Sequence, residues 1–421
     1  MSTVKPTFRA NFSRVARANL IALALPVLAA PILSRLFLPS DFASLAVFVA
    51  IAAVIGAFAT WRFDWVVPNE PDAVRAKTLF VLGGCVLVFS TLVVLVVLCV
   101  AQVAVGLETW SAQLGLLLLL LPLLVLAGGL RDLFSGWFVR RGDLTAVSRA
   151  TVSRSVANVL LSIGSGAARM GATGLIGAAV LSAWAGSYTL ARHSGVKLRD
   201  ALGGVSRLSL RSVLRAHGRT ATWSTAVSIL NALSLNAPVL VLAVFFSPVQ
   251  VGWYALINRT AAAPISAVTA ALAQSFWSLA ADHARRHEYE EIAQAYQRVT
   301  RRLAVAALVV VGLCLTGPIV VGPILGSEWA GAGFVLMAMA PMLVGNVMFS
   351  PTNHLVVFDK QHLQLAVDLL RLLLVIGAIS SAYYLDLGFY VAVFLASTGS
   401  LAAHTLLFFL HVKVHGSNVS R

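Results

Sequence analysis

Hydrophobic runs of about 20 residues recur along this chain from Asn19 to His411, with only short gaps between them. A helix of that length spans the hydrocarbon core of a bilayer, which is about 30 Å thick. The 421 residues are 59% hydrophobic and only 11% charged, whereas a soluble domain carries roughly 25% charged residues. Because the gaps leave no room for a soluble domain, the sequence predicts an all-α integral membrane protein.

Twelve transmembrane helices are predicted from these runs. They cover about residues 17–34, 42–61, 79–104, 114–136, 151–168, 172–191, 220–245, 252–275, 303–324, 331–356, 363–384 and 389–410. A basic segment divides them six and six. We therefore predict an amino-terminal six-helix lobe at 1–191, a linker at 192–219 and a carboxy-terminal six-helix lobe at 220–421.

The positive charge of the chain indicates its topology. The sequence carries 31 Lys and Arg against 16 Asp and Glu, and most of the basic residues lie in alternate loops on the side of the amino terminus. The positive-inside rule then predicts that both termini are cytoplasmic. A basic excess is also typical of nucleic-acid-binding proteins, but its spread over many membrane-flanking segments argues against nucleic acid as a partner.

The linker at 192–219 is predicted to form a basic amphipathic helix on the inner leaflet. Four arginines recur every four residues and would form one stripe on a helix, namely Arg207, Arg211, Arg215 and Arg219. Leucines and valines, Val213 among them, supply apolar surface. Anionic lipids are the expected partner of the stripe. It either anchors the linker to lipid or takes part in substrate handling, and the sequence leaves both open.

Two short matches indicate an internal repeat between the lobes. FLPSDFASLA aligns with FSPVQVGWYA, 209 residues further on, and LLSIG aligns with LLVIG, 213 residues further on. The first alignment pairs Asp41 with Gln250 and Ala43 with Gly252. Since six crossings restore the orientation of the chain, the sequence predicts one six-helix unit used twice in the same direction.

Polar side chains recur at helical spacing along the predicted spans. The fifth span carries a polar stripe that includes Asn158 and Ser162, the seventh carries a second stripe that includes Asn231 and Ser234, and the tenth carries Asn346. Small polar residues commonly form hydrogen bonds between membrane helices. Together with buried arginine they also favour a water-filled cavity between the two lobes, and both interpretations stay open.

Arg371 is predicted to lie deep in the eleventh span. It follows His362, near the inner surface, by nine residues, which places its backbone about 13 Å into the hydrocarbon core. A charge at that depth costs about 2.5 to 3.5 kcal/mol, so the guanidinium should have a partner, and Asp368 is one helical turn away. The pair either neutralises itself for insertion, or Arg371 forms an anion site, since its five donors match phosphate oxygens.

Four further charged residues lie at or near predicted boundaries. Arg259 lies about seven residues inside the outer boundary of the eighth span, where it either binds a substrate anion or reaches the outer interface. Arg35 and Arg169 follow the first and fifth spans and are predicted to anchor the interface or contact a head group. Asp64 is predicted to lie at the cytoplasmic boundary beside Arg62.

Several chemistries are excluded by the sequence. No GxxxxGK[ST], HExxH, GxSxG or CxxC motif occurs and the predicted outer loops are too short for an active site, so neither an enzyme nor a cofactor is expected. The three cysteines fall inside predicted spans without metal-ligand spacing. His283 and His287, at i and i+4, have no third ligand cluster near them in sequence, so no metal site is predicted.

Two long stretches of the chain resemble a known family. SRLFLPSDFASLAVFVAIAAVIGAFATWRFDWVVP resembles the opening of the polysaccharide flippases, the O-antigen or lipopolysaccharide transporters of the MOP exporter superfamily. LNALSLNAPVLVLAVFFSPVQVGWYALINRTAAAPISAVTAALAQSF is similar to the seventh and eighth helices of that family in the spacing of Gly252, Tyr254, Arg259 and Pro264. One departure is Ala43, where the family often has Gly. The resemblance covers nearly the whole chain.

The resemblance implies a MATE-like fold of two six-helix lobes around a central cavity, in the bacterial inner membrane. It also implies that the chain moves a polyprenyl-diphosphate-linked oligosaccharide from the inner to the outer leaflet for surface polysaccharide biosynthesis, with other polysaccharide assembly proteins as further expected partners. Cationic cavity residues of the family carry over to Arg371 and Arg259. The full set of predicted cavity residues is Arg371, Arg259, Asp368, Asn158, Ser162, Asn231 and Asn346.

Two other functions stay open. A cation-coupled multidrug exporter of the same fold would be expected to carry an acidic residue in its amino-terminal lobe, and the first three predicted spans contain none. A non-transporting membrane scaffold for polysaccharide assembly would need no polar cavity. The sequence favours the flippase, and it determines neither the glycan nor the coupling ion.

Overall fold

A computed structural model describes residues 5–104, 114–195, 207–269, 289–349 and 361–419. These residues are helical almost throughout and contain no β-strand. The helices are α1 (Lys5–Leu36), α2 (Pro39–Ala59), α3 (Phe63–Val66), α4 (Ala73–Ala104), α5 (Leu121–Arg140), α6 (Leu144–Ala167), α7 (Gly171–Ser194), α8 (Arg207–Phe245), α9 (Pro248–Ile257), α10 (Tyr289–Leu315), α11 (Gly317–Leu325), α12 (Ala330–Ala338), α13 (Ala340–Met348), α14 (Gln361–Tyr384) and α15 (Phe389–Val419). Short 3₁₀ turns occur at Val67–Asn69, Gly115–Leu120 and Ser327–Trp329, and a π-helical turn occurs at Asn258–Ala262.

Eight helices in the described part of the chain are long and apolar enough to cross a membrane, and two bent pairs raise that number to ten. The pairs are α10 with α11, bent by 62°, and α12 with α13, bent by 48°. Each bend lies beside a proline, Pro318 or Pro341, whose ring cannot donate a helical hydrogen bond. Lipid requires every backbone polar group to be paired within the protein, which explains why the spans are helices.

Two of the twelve predicted spans have no counterpart among these ten. The fifth corresponds to α6, which is a helix but carries Arg149, Arg154 and several serines, so it is more polar than its neighbours. The eighth begins in α9 and runs into residues 270–288, which lie outside the described residues. The all-helical membrane fold is confirmed, whereas the count of twelve stays a prediction.

Packing divides the chain into two units. The first comprises Met1–Phe37 and Ser44–Ala232, and the second comprises Leu38–Ala43 and Leu233–Arg421. Within the first unit, the most extensive packing joins α6 to α7 and to α1. Within the second, α14 packs along α15 and α11 packs along α12. The predicted lobe and linker boundaries stay a prediction.

Hydroxyl groups join neighbouring helices inside the first unit. Ser155 of α6 donates to the carbonyl oxygen of Ala22 in α1 at 2.7 Å, and Ser187 of α7 donates to the carbonyl oxygen of Ala127 in α5 at 2.6 Å. A hydroxyl within a span has no water to bond, so a carbonyl of an adjacent helix takes that place. Part of the polar stripe on α6 therefore serves helix packing.

The two helices that begin in the aligned segments, α2 and α9, share one N-terminal arrangement. Asp41 Oδ2 accepts a hydrogen bond from the Leu38 N–H at 3.0 Å, and Gln250 Oε1 accepts one from the Ser247 N–H at 3.2 Å. Each helix also has proline at its first position. In both, the third helical residue bonds the residue before the proline, as in a capping box. The positions that the repeat alignment pairs thus have the same local role.

The basic linker helix is continuous with the seventh span, because α8 extends from Arg207 to Phe245. The side chains of Arg211, Arg215 and Arg219 are exposed. Val213, on the same helix, is fully buried in a hydrophobic cluster with residues of α3, α4 and α5. One apolar residue that the sequence assigned to a surface against lipid therefore packs against protein.

Two polar contacts attach the amino-terminal part of α8 to the rest of the first unit. His217 Nε2 lies 2.6 Å from Glu70 Oε2, and Trp61 Nε1 donates to Thr222 Oγ1 at 3.2 Å. Glu70 is buried, and Arg140 of α5 donates to its carbonyl oxygen. The segment between α2 and α4 is thereby fixed both to α5 and to α8.

Asp143 caps α6, and Asp143→Ala is expected to lower stability by about 1 kcal/mol. Its carboxylate accepts hydrogen bonds from the N–H groups of Thr145 and Ala146 at 3.2 and 3.3 Å. The Thr145 hydroxyl, followed by these N–H groups, holds the pKa of Asp143 below its ordinary value. The cap therefore stabilises fully above the ordinary aspartate pKa, and the gain disappears as pH falls through the lowered pKa of the folded state.

Thermal unfolding of the detergent-solubilised protein, followed from about pH 7 down to about pH 2, measures this effect. The midpoint of the variant should lie below that of the parent at neutral pH, and the two should converge in acid. A difference that keeps its size at the lowest pH would show that the carboxylate is not the stabilising group.

Candidate functional site

Arg371 lies near the middle of α14 and is held by a serine of another helix. Its Nε and Nη2 donate to Ser234 Oγ at 3.1 and 2.9 Å. Nη2 also lies 3.8 Å from Asp368 Oδ1, which is beyond hydrogen-bond length. The side chains of Arg371 and Asp368 are 16% and 23% exposed, so both are mostly withdrawn from the surface. Ser234 therefore holds the guanidinium by hydrogen bonds. Asp368 places a negative charge near the guanidinium without a direct hydrogen bond to it.

Ser234 reaches Arg371 from α8, 137 residues earlier in the chain. It is buried, and its hydroxyl also lies 3.5 Å from the carbonyl oxygen of Asp368. Pro238, one turn later in α8, has no N–H to donate to the Ser234 carbonyl. The turn of α8 that contacts Arg371 therefore lacks the helical hydrogen bond from residue 238 to residue 234.

His404 of α15 adds another titratable side chain beside this pair. Its Nδ1 lies 2.7 Å from the carbonyl oxygen of Ser400, so Nδ1 carries the hydrogen and Nε2 is the acceptor in the neutral ring. The ring interacts electrostatically with both Arg371 and Asp368. We call these four residues, Arg371, Asp368, Ser234 and His404, the Arg371 cluster.

The sequence predicts Arg371 and Asp368 as site residues, whereas Ser234 and His404 become site residues only in the structure. Ser234 was seen only as part of a polar stripe, because nothing in the sequence joins it to a residue 137 positions away. His404 was not considered, although an ionisable residue inside an apolar span is a signal in itself.

Two other predicted cavity residues lie in the second unit. Arg259 is partly buried in the π-helical turn Asn258–Ala262, whose closing bond runs from the Ala263 N–H to the Asn258 carbonyl. Such turns widen a helix locally and often occur at functional sites. Asn346 of α13 donates to Ser266 Oγ at 3.4 Å. Both remain predictions as cavity residues.

The remaining predicted cavity residues lie in the first unit. Asn158 of α6 donates to Ser182 Oγ of α7 at 3.2 Å, and Ser162 is buried. Asn231 of α8 is exposed. The contact of Asn158 is an interhelical hydrogen bond, one of the two roles that the sequence leaves open for this polar stripe. Membership of all three in a cavity remains a prediction.

Arg35 and Arg169, predicted as interface or head-group residues, both lie at helix ends and are exposed. Arg35 is in the last turn of α1, and Arg169 follows α6 in the left-handed conformation, with φ 56°. Among the described residues, no three His, Cys, Asp or Glu side chains come together as metal ligands. His283 and His287 lie outside that part of the chain.

The sequence pattern of one protein family matches residues 32–333, which is more than half of the chain. That family is described as "polysaccharide biosynthesis protein". This chain belongs to that family. The family resemblance inferred from the sequence is confirmed. No curated protein matches the chain.

Solved membrane transporters share the fold. An inward-facing MATE multidrug resistance transporter of the MOP superfamily matches with a TM-score of 0.68 at 17% identity, covering 94% of this chain and 96% of that one. The lipid II flippase MurJ, in an inward closed conformation, matches with a TM-score of 0.70 at 10% identity, covering 96% and 90%. A MOP superfamily transporter from Pyrococcus furiosus matches with a TM-score of 0.61 at 18% identity, covering 96% and 95%.

These likenesses confirm the MATE-like fold. At such low identity they establish the fold alone, and the two highest of these scores belong to an exporter and to a flippase. The chain is therefore a multi-pass membrane protein of the polysaccharide biosynthesis family, with the fold of these solved transporters. Its substrate has to be argued from the site.

Proposed function

We propose that the protein is a flippase that moves a polyprenyl-diphosphate-linked oligosaccharide from the cytoplasmic to the periplasmic leaflet of a bacterial inner membrane. It works by alternating access and serves surface polysaccharide biosynthesis, such as that of O-antigen or lipopolysaccharide. Membership in the polysaccharide biosynthesis family and the fold shared with a lipid II flippase support this proposal. The observation that carries it is the Arg371 cluster within a membrane span.

The guanidinium of Arg371 has unused hydrogen-bonding capacity. Of its five N–H donors, Nε and Nη2 contact one serine hydroxyl, and Nη1 has no acceptor among the described residues. Its charge is compensated by Asp368 across 3.8 Å. A diphosphate offers several anionic oxygens and forms charge-assisted hydrogen bonds with guanidinium, roughly twice as strong as neutral ones. A phosphate group can therefore replace Ser234 and Asp368 as the partner of Arg371.

Arg371 lies at the depth in the membrane where a charged head group has the highest free energy. Ten residues separate Arg371 from Gln361 at the start of α14, which is about 15 Å along the helix axis. The hydrocarbon core is about 30 Å thick, so the positive charge lies near its middle. The cost of bringing a diphosphate across is highest there, and an opposite charge at that depth lowers it. Arg259, in its π-helical turn, is the second candidate for contact with the head group.

Reconstitution tests the proposed substrate class directly. The purified chain in liposomes is expected to move a labelled polyprenyl-diphosphate oligosaccharide between leaflets, measured by access of a membrane-impermeant glycosidase to the sugar. Protein-free liposomes and the same oligosaccharide on an uncharged lipid that lacks the diphosphate are the controls. Movement of a lipophilic organic cation but not of the glycolipid would indicate the multidrug exporter. Movement of neither would indicate the scaffold, and both results would overturn the proposal.

A further inference from the structure

A cleft of about 400 Å³ lies in the first unit, and none of its lining residues belongs to the Arg371 cluster. Residues between α2 and α4 and about two turns of α5 form its walls. Its polar lining is Arg62, Asp64, Asn69, Asp132 and Ser135. Asp64 is 5% exposed although it lies outside the apolar spans Pro39–Ala59 and Ala73–Ala104. The predicted topology places this segment on the cytoplasmic side.

An unusual turn and close packing on α5 hold the backbone of Asp64 in place. Trp61 and Arg62 have φ values of 49° and 55°, a left-handed turn that side-chain-bearing residues seldom adopt. The turn ends α2 and directs α3 onto α5. There, the carbonyl oxygen of Asp64 lies so close to Gly136 that any Cβ at that position would overlap it. The backbone of Asp64 therefore packs directly against Gly136 of α5.

The negative charge of Asp64 is only partly compensated. Its Oδ1 accepts a hydrogen bond from Thr60 Oγ1 at 2.6 Å, while Oδ2 lies 3.7 Å from Arg62 Nη1, beyond hydrogen-bond length. The Arg62 guanidinium instead stacks over the Trp65 ring at 4.1 Å. Arg62 Nε is buried and has no hydrogen-bond partner among the described residues. A buried arginine donor and a buried carboxylate thus lie side by side without the direct bond that would neutralise both.

Surrounding charges do not complete the compensation. Asp132 of α5 faces the same cleft as a second carboxylate, and its closest partner is Arg131, at 2.7 Å. α4 contributes Arg75 and Lys77, which are both exposed. In the same segment Glu70 is engaged by His217 of α8. Burial, with a smaller contribution from Asp132, raises the pKa of Asp64 above its ordinary value, although Thr60 and Arg62 oppose the change.

We propose that Asp64 is a proton-binding site that exchanges protons with the cytoplasmic solution through this cleft. A proton from water binds the carboxylate, the carboxyl group becomes neutral, and Arg62 loses the charge that it faces. A proton needs one carboxylate oxygen, whereas sodium needs several oxygen ligands and would meet the guanidinium 3.7 Å from Oδ2. The site goes beyond the proposed function, because proton binding here does not depend on which lipid or drug is carried.

Infrared spectroscopy of the purified full chain in lipid nanodiscs, titrated with acid, tests the proposal without measuring transport. The parent should show a protonated-carboxyl band that appears at a higher pH than the ordinary aspartate value of about 3.9. The band should be lost in Asp64→Asn. The matched control, Asp132→Asn, should keep the band but move its midpoint to lower pH, because one repelling carboxylate is gone.

A third variant keeps the test decisive if Asp64→Asn does not fold. Thr60→Val removes the hydroxyl that stabilises the ionised carboxylate, so the midpoint should move to higher pH. An unchanged midpoint in Thr60→Val, or an unchanged band in a monodisperse Asp64→Asn preparation, would overturn the proposal. So would a band that responds to sodium at constant pH. If the parent protein does not move the glycolipid in liposomes, the proposed function is overturned, but the protonation of Asp64 measured here still stands.

Discussion

Arg371→Ala is expected to lower glycolipid translocation by about 10- to 100-fold at unchanged protein abundance. The substitution removes the charge-assisted hydrogen bonds that a diphosphate would form with the guanidinium, each of which contributes about 1.5 to 3 kcal/mol. Since 1.4 kcal/mol corresponds to a factor of ten, the loss of one such bond accounts for the range. The measurement is the amount of lipid-linked glycan that accumulates on the inner leaflet of cells that depend on the variant.

Two further variants separate binding from structure. Arg371→Lys keeps the charge but not the planar fork, so it should restore only part of the activity. Ser234→Ala removes the internal partner of the guanidinium and leaves its charge in place, so it should reduce activity less than Arg371→Ala. Arg75→Ala, a change of the same type at an exposed position, serves as the control. Normal translocation by both Arg371 variants would show that the Asp368 pair only assists insertion.

The fold class followed from the apolar runs because hydrocarbon leaves a backbone no alternative to internal hydrogen bonding. Details of individual helices did not follow in the same way. The arginine stripe before the seventh span has the same spacing whether it lies on a separate surface helix or on an extension of α8. Only the structure shows that it lies on an extension of α8. Val213 could face lipid or protein on the pattern alone, since both are apolar.

The candidate site was partly predictable for a comparable reason. Arg371 and Asp368 lie one turn apart, and the helical period is enough to bring them together. Ser234 comes from a distant helix, and its contact depends on packing that no local pattern encodes. Asp64 was placed correctly beside Arg62, but its burial depends on the left-handed turn before it and on Gly136 of α5.

Gly252→Ala is expected to cause the largest loss of stability, on the order of 3 kcal/mol, because the new methyl group would overlap the carbonyl oxygen of Pro39. Both residues belong to the second unit, in which α2 begins against α9. The obstacle is backbone, so no change of rotamer relieves it, and α9 or the start of α2 has to move. In the repeat alignment the partner of Gly252 is Ala43, which is fully buried with its methyl group in place. The two halves therefore differ at this contact.

Gly56→Ala in α2 is the matched control, since a Cβ there would meet nothing within 4 Å. Replacing glycine by alanine inside a helix ordinarily stabilises by roughly 0.5 to 1 kcal/mol, so this variant should unfold at the parent temperature or slightly above it. Thermal unfolding in detergent, followed by size-exclusion chromatography after heating, compares the three proteins. If Gly252→Ala unfolds at the same temperature as Gly56→Ala, the close approach of α9 to Pro39 does not exist in the folded protein. A large difference between the two would show that one backbone contact, rather than helix propensity, makes glycine necessary at position 252.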